Sequence, residues 1–310
     1  MMGRTASIVI MIAMAISAEP VFAAVVAQWH LDEGDGTNIV DSSGNDAHGL
    51  VTGATWTCGV SGKALSFDGV DDYAEVSSPV PTFEFTLEAW VFVRQAPVAQ
   101  EGGYGVVLEK WIGGRGSSWI LSVQDDMRPR IDWATTSEGG IATDAPDPLT
   151  LSEWHYLAAT VTYDGARTFA RLYVDGNLAV TSRVVEGEAP IDRPTHVNIG
   201  AAHYEGEPSA KQFFSGIIDE VTILAHPLAE QEINERSQSQ RNRPPAVDAG
   251  GNVSILSAQQ PNTTLLGTAV DPDGDPLQCQ WLEGTFVLQS WMPVGLAGPC
   301  PLDLAHVVPL

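Results

Sequence analysis

Glycoside hydrolysis needs two carboxyl groups at a fixed separation, one to protonate the leaving oxygen and one to attack or to activate water. The acidic pairs that stand out in this chain, Asp71-Asp72 and Asp219-Glu220, are adjacent residues, and neighbours on a strand point to opposite faces. Neither pair can close on one bond. A His-Glu-x-x-His zinc helix and a Gly-x-Ser-x-Gly nucleophile elbow are absent, and Gly59-Val60-Ser61-Gly62-Lys63 falls short of a phosphate loop. His155, beside Trp154 at the start of an alternating run, has the context of a buried, hydrogen-bonded structural histidine. The residues point away from an enzyme.

Calcium chemistry is better served, because hard oxygen ligands suit Ca²⁺. Asp32, Asp41 and Asp219 fall in segments that a β-sandwich could gather at one end, where first and last strands commonly neighbour each other. By simple alternation Asp219 shares the face of Ile217, Val221 and Ile223, which aims a carboxylate at the interior, where bare charge is costly. A metal, a cluster of backbone amides or a Lys or Arg partner would each compensate it. The run Asp271-Pro272-Asp273-Gly274-Asp275 is not an EF-hand, since its sixth position is Pro276 and its twelfth is Leu282. For sugar contact the candidates are Trp111, before a Gly-rich stretch, and Tyr204, before Glu205-Gly206. Aromatic faces stack on sugar rings, although most Trp in a sandwich fill core.

The elements that position these residues follow from pattern. Residues 1–23 carry one basic charge, Arg4, then an apolar run from Ile8 to Ala18 and small residues before the end, which reads as a secretory signal. Glu19-Pro20 interrupts the run before the roughly 20 apolar residues that a membrane span needs. No membrane span is expected in the mature chain, which is expected to be secreted and extracellular, or periplasmic or at the cell surface. The formal charge of −24, from 15 Lys and Arg against 39 Asp and Glu, repels phosphate backbones and makes nucleic acid an unsuitable partner. Three cysteines are too few for a disulfide scaffold. Cys279 with Cys300 is a candidate bridge, which leaves Cys58 unpaired.

From Ala24 to about Ile223 the hydrophobic period is two. Phe85, Leu87, Ala89, Val91 and Val93 alternate with more polar positions, as do Leu157, Ala159 and Val161, and Trp119, Leu121 and Val123. Asp175-Gly176 between two such runs predicts a β-hairpin. One short helix is expected after Pro227, and Ser237 to Pro245 reads as a polar linker ending in a Pro pair.

Val26-Ala27-Gln28-Trp29-His30-Leu31-Asp32-Glu33-Gly34, Gly62-Lys63-Ala64-Leu65-Ser66-Phe67-Asp68-Gly69, Phe85-Thr86-Leu87-Glu88-Ala89-Trp90-Val91, Leu172-Tyr173-Val174-Asp175-Gly176 and Gly216-Ile217-Ile218-Asp219-Glu220-Val221 follow in order. Together they closely resemble the laminin-G-like jelly-roll domains of the concanavalin A-like lectin/glucanase superfamily. The resemblance covers about two thirds of the chain. It implies an all-β fold, a two-sheet antiparallel jelly-roll sandwich over 24–237. Glucanases of that superfamily carry a Glu-x-Asp-x-Glu type run, which is absent here. The family often places Ser at the cap of the final helix, where this chain has Ala229, so a weaker helix start is expected. Beyond a linker over 238–245, Pro244 to Trp281 resembles the opening of a polycystic-kidney-disease-type or cadherin-like immunoglobulin-fold repeat. Such a repeat needs about seven strands, and Phe286 to Leu310 shows no strand periodicity. The module over 246–310 is therefore expected to be incomplete, with a poorly ordered tail.

These readings converge on a secreted, non-catalytic binding module for a glycan or a surface or matrix protein, with calcium as a stabilising ion. A structural spacer is the alternative, and a glycoside hydrolase the third reading. Because the strand set and closing helix are complete without the tail, removing 244–310 is predicted to leave the melting transition nearly unchanged. A broad, non-cooperative transition in that truncation, read by calorimetry, would place the domain boundary elsewhere.

Overall fold

Strand follows strand wherever apolar residues alternate, and glycine or aspartate turns the chain between them. The computed structural model describes residues 25–77, 83–98, 103–111, 118–193, 195–203 and 209–239, and further on the backbone of five strands between 246 and 303. In chain order the first domain runs β1 (Val25–Trp29), β2 (Asn38–Ile39), β3 (Gly49–Thr52), β4 (Thr55–Cys58), β5 (Lys63–Asp68), β6 (Tyr73–Val76), β7 (Phe85–Val93) and β8 (Tyr104–Lys110). It continues with β9 (Trp119–Gln124), β10 (Pro129–Trp133), β11 (Ile141–Asp144), β12 (Trp154–Tyr163), β13 (Arg167–Val174), β14 (Asn177–Thr181), β15 (Val185–Glu186), β16 (Val197–Ile199), β17 (Ser215–Leu224) and helix α1 (Glu230–Ser239).

Two antiparallel sheets result. The first has nine strands in the order β14-β13-β12-β7-β17-β5-β4, with β1 on β17 and β15 on β13. The second has eight, in the order β11-β10-β9-β8-β16-β6-β3-β2. The all-β sandwich expected from the sequence is present. Its core is the set of inward alternate residues, Phe85, Leu87, Ala89, Val91 and Val93 from β7 against Trp119, Leu121 and Val123 from β9, closed by the fully buried Trp29, Phe67 and Trp133. The predicted hairpin joins β13 to β14, and Asp175 and Gly176 take φ of 51° and 79°. Two successive positive φ values match the twist of the flanking strands.

Strand β7 is buried on its outer face as well, and α1 is the cause. Trp90, Tyr156, Tyr173 and Leu224 on that face pack with Leu228 and with Ile233 of the helix. A polar clamp accompanies them. Glu88, fully buried, accepts two bonds from Arg236 Nε, at 2.7 and 2.8 Å, and one from the Tyr156 hydroxyl. Thr86 Oγ1 donates to the His226 carbonyl and accepts the Leu228 N–H, which fixes the chain entering the helix. At the cap, Ala229 offers no side-chain acceptor, but Glu232 reaches back to the Ala229 N–H at 2.8 Å. That is half of a capping box, and it offsets the missing Ser. The helix runs through Ser239, two residues past the expected domain end.

The C-terminal segment holds β18 (Ala246–Asp248), β19 (Thr264–Val270), β20 (Leu277–Glu283), β21 (Phe286–Gly295) and β22 (Ala297–Asp303). They form a three-stranded sheet, β18-β19-β22, and a separate β20-β21 pair. Strands β21 and β22 run through a segment whose sequence shows no strand periodicity. Pro293, Pro299 and Pro301 hid them, and all three stand on strands with a single neighbour, where a missing N–H is tolerated. Residues 1–23, 240–245 and 304–310, with the expected signal, most of the linker and the end of the tail, lie outside the described residues. Among the described residues no helix is long and apolar enough to cross a membrane.

Arg236→Met should destabilise the first domain by about 3 kcal/mol, because it strands the buried Glu88 charge. Chemical denaturation of Arg236→Met beside the Glu88→Gln/Arg236→Met double variant checks this. The double variant should recover most of the loss, and a single-variant loss below about 1 kcal/mol would remove the clamp from the account.

Candidate functional site

The three aspartates singled out for calcium do not converge on one point. Asp41 is buried and saturated by protein: Oδ1 accepts the N–H groups of Gln28 and Ser43, and Oδ2 accepts the Ser43 hydroxyl and the Ala47 N–H. Burial pushes its pKa up, but these donors outweigh it and hold the carboxyl below its usual range. Asp32 and Asp219 instead grip the hairpin loop between β4 and β5. Asp32 Oδ1 accepts the Lys63 N–H at 2.7 Å, and Asp219 Oδ2 accepts those of Val60 and Ser61 at 2.8 and 3.2 Å. Glycine is required there, since a Cβ on Gly59 would lie 2.3 Å from Asp219 Oδ2.

Asp219 also corrects the simple alternation. Asp219 pairs with Trp90 and Thr222 with Glu88, so β17 carries one extra residue, and Glu220 takes φ of 49°. This bulge shifts the phase. Ile218, Val221 and Ile223 face the core, while Asp219 turns to the outer face with Trp90. Of the three compensations open to Asp219, the amide cluster is the one present, completed by the Glu220 N–H at 2.9 Å. Burial still raises its pKa to about 8, with the neighbouring Glu220 charge acting the same way. Among the described residues, the carboxylates close enough to share an ion are Asp68, Asp71 and Asp72.

Two clefts, of about 160 and 270 Å³, share His155 and Asp175. The polar groups of these two residues are already engaged with protein. His155 Nδ1 bonds Asp175 Oδ2 at 2.9 Å, its Nε2 accepts the Thr150 N–H at 3.2 Å, and Asp175 Oδ1 takes the Tyr156 N–H. Both ring nitrogens of His155 are thus engaged.

The outer face of the second sheet is different. Register places Glu75, Asn198, Glu109, Ile120 and Asp132 opposite one another on β6, β16, β8, β9 and β10. Directly opposed residues share a face, so these five form one row across the strands. At its centre Glu109 is fully buried, and its Oε1 accepts Asn198 Nδ2 at 2.9 Å and the His203 N–H at 2.6 Å. Among the described residues, Glu109 Oε2, Asn198 Oδ1 and His203 Nδ1 have no hydrogen-bond partner. An unsatisfied buried polar atom costs about 1–3 kcal/mol, and three lie together. His203 Nδ1 stands 3.4 Å from Glu75 Oε2 without bonding it, and the His203 side chain, 27% exposed, is the member that meets solvent. Burial raises Glu109 to about 7, against the pull of its donors and of Lys211, and raises Asp132 to about 6.

Trp111 lies two residues past Glu109, half-buried, and packs with Tyr104 against Val106, Ile120 and Ala202 on this same face. Tyr204 follows His203 directly but lies outside the described residues. Cys279 and Cys300 stand on β20 and β22, in different sheets, with side chains outside the described residues. Sequence reasoning missed Glu109 and Asn198. The available signal was a glutamate closing the apolar strand Tyr104–Lys110.

The chain belongs to the concanavalin A-like lectin/glucanases superfamily, whose laminin-G-type family model matches residues 68–234. Similar solved structures include domain 4 of AbnA, an extracellular arabinanase from Geobacillus stearothermophilus, in complex with arabinotriose, at 18% identity and TM-score 0.52, covering 70% of this chain and 99% of that one. The botulinum neurotoxin serotype D binding domain is similar at 14% identity and TM-score 0.53, over 87% of this chain and 63% of that one. A Trypanosoma rangeli sialidase, in complex with a difluoro-KDN ligand, is similar at 20% identity and TM-score 0.50, over 70% of this chain but 33% of the sialidase. At such identities the likeness is one of fold. A search of curated protein sequences gives no match.

A carboxyl raised from 4.5 to about 7 binds its proton more tightly folded than unfolded. The stability this gives is complete below pH 4.5 and is lost as pH rises through 7, about 3 kcal/mol in all. Glu109→Gln should therefore match the wild type at pH 4 and exceed it in denaturant midpoint at pH 8. A variant no more stable than the wild type at pH 8 would mean that Glu109 is compensated as a charge.

Proposed function

We propose that the chain is a secreted, non-catalytic carbohydrate-binding module that takes its glycan on the outer face of the second sheet. The observation that carries this reading is the pair of buried atoms Glu109 Oε2 and Asn198 Oδ1, which have no hydrogen-bond partner among the described residues, on the outer sheet face that α1 does not cover. Sugar hydroxyls supply the missing donors, and the half-buried Trp111 and Tyr104 supply apolar contact. The arabinotriose complex of the similar AbnA domain supports the same reading. Protein donors already serve the carboxylates of Asp41 and Asp219, which supports a reading without calcium at those two.

Hydrolysis is the second reading, favoured by one observation. Glu109 and Asp132 flank Ile120 on a shared face, and burial raises both, which is how a protonated acid is prepared. Against it, one oxygen of Glu109 is already tied to two protein donors.

A panel of soluble neutral and charged glycans, titrated by calorimetry, tests the proposal. At least one is expected to bind, and Asn198→Ala and Trp111→Ala, each measured well below its own melting temperature, should each weaken it about tenfold or more, at 1.4 kcal/mol per decade. Binding that survives both substitutions would move the site elsewhere, and release of new reducing ends would favour the enzyme.

A further inference from the structure

The row across the second sheet opens to solvent toward β10 and β11. Asp132 is half-buried there, between Ile120 on β9 and the exposed Ala142 on β11. The half-buried Trp111 borders the same patch. It packs against the cluster that holds Ile120, and a Cβ on Gly140, just before β11, would stand 3.8 Å from its ring. Arg130, two residues before Asp132 and on the same face, commits Nε and Nη2 to Asp144.

Asp132 differs from its neighbours in having no donor. Glu109 holds two protein donors and Asp144 holds Arg130, whereas among the described residues no hydrogen bond reaches Asp132, and burial and the charges of Arg130 and Asp144 are what act on it. Burial raises its pKa to about 6, Arg130 acting against this and Asp144 with it, so the group is ionised at pH 8. A carboxylate short of water and without a donor is costly. A ligand that brings O–H groups to it gains hydrogen bonds roughly twice as strong as neutral ones.

Two carboxylate oxygens side by side ask for two hydrogens side by side. A vicinal diol on a sugar ring presents them, while the apolar face of the same ring suits an aromatic neighbour. In a 1,4-linked pyranose chain every internal residue keeps such a diol, the hydroxyls at C2 and C3. In a 1,3-linked chain C3 carries the linkage, and the hydroxyls left at C2 and C4 are not adjacent. Building on the glycan reading above, we infer that this patch takes a neutral 1,4-linked glycan, with the 2,3-diol of one residue on Asp132 and its ring against Trp111.

The experiment titrates four hexamers by calorimetry at pH 8: cellohexaose, xylohexaose and mannohexaose, which are 1,4-linked, and laminarihexaose, the 1,3-linked counterpart of cellohexaose. At least one 1,4-linked hexamer should bind the wild type about tenfold or more tightly than laminarihexaose. Asp132→Ala, which strands no protein donor, should reduce that advantage to about twofold or less, and a larger remaining advantage overturns the inference. Asp71→Asn, in the separate exposed acidic cluster, should leave the advantage intact, and its loss there as well would trace it to the overall charge of the protein and overturn the inference too. Laminarihexaose binding as tightly as the others would sink the inference and leave the glycan reading standing. Binding of none of the four sinks the inference, and if the wider panel also fails, the glycan reading falls with it.

Discussion

The architecture turns on one buried carboxylate. Glu88 stands in the middle of β7 with no exposure, where an isolated charge would cost several kcal/mol. Arg236 and Tyr156 satisfy it, and Arg236 can reach it only if α1 lies across the outer face of the first sheet. The helix then covers Trp90, Tyr156 and Tyr173, and this sheet becomes the middle layer of the domain. The corresponding face of the second sheet has no such cover from the helix. A single charge pair thus fixes which outer face the helix covers.

Much of the fold was legible in sequence because strand alternation and turn chemistry are local. Asp175-Gly176 announced its hairpin, and the inward residues of β7, β9 and β12 were readable from period alone. Asp219 was not, because a bulge adds one residue without any glycine to mark it. The strain sits on Glu220, a residue type that seldom adopts positive φ. Strands β21 and β22 were lost for the opposite reason, since proline suppresses the strand signal even where only one ladder has to form.

The candidate site was the least legible part. Glu109, Asn198 and His203 come from β8, from β16 and from just beyond β16, and only sheet pairing brings them together. Trp111 was reachable through its loop context, and it does adjoin the site, though as a half-buried neighbour of Tyr104 rather than an exposed platform. Membership of the superfamily fixes the sandwich but not its ligand, because one fold carries many grafted functions. Here that choice rests on donor and acceptor counts at particular atoms.

The prolines of β22 have a consequence beyond concealment. Pro299 and Pro301 are two apart, and successive residues turn their amides to opposite sides of a strand. Both missing donors therefore fall on one side, and the ladder to β19 is fed by the other set. The free edge is left with carbonyls where an incoming strand from another molecule would seek N–H groups. Such an edge is a poor template for edge-to-edge aggregation, which matters for an acidic chain whose sandwich sheets also end in open strands.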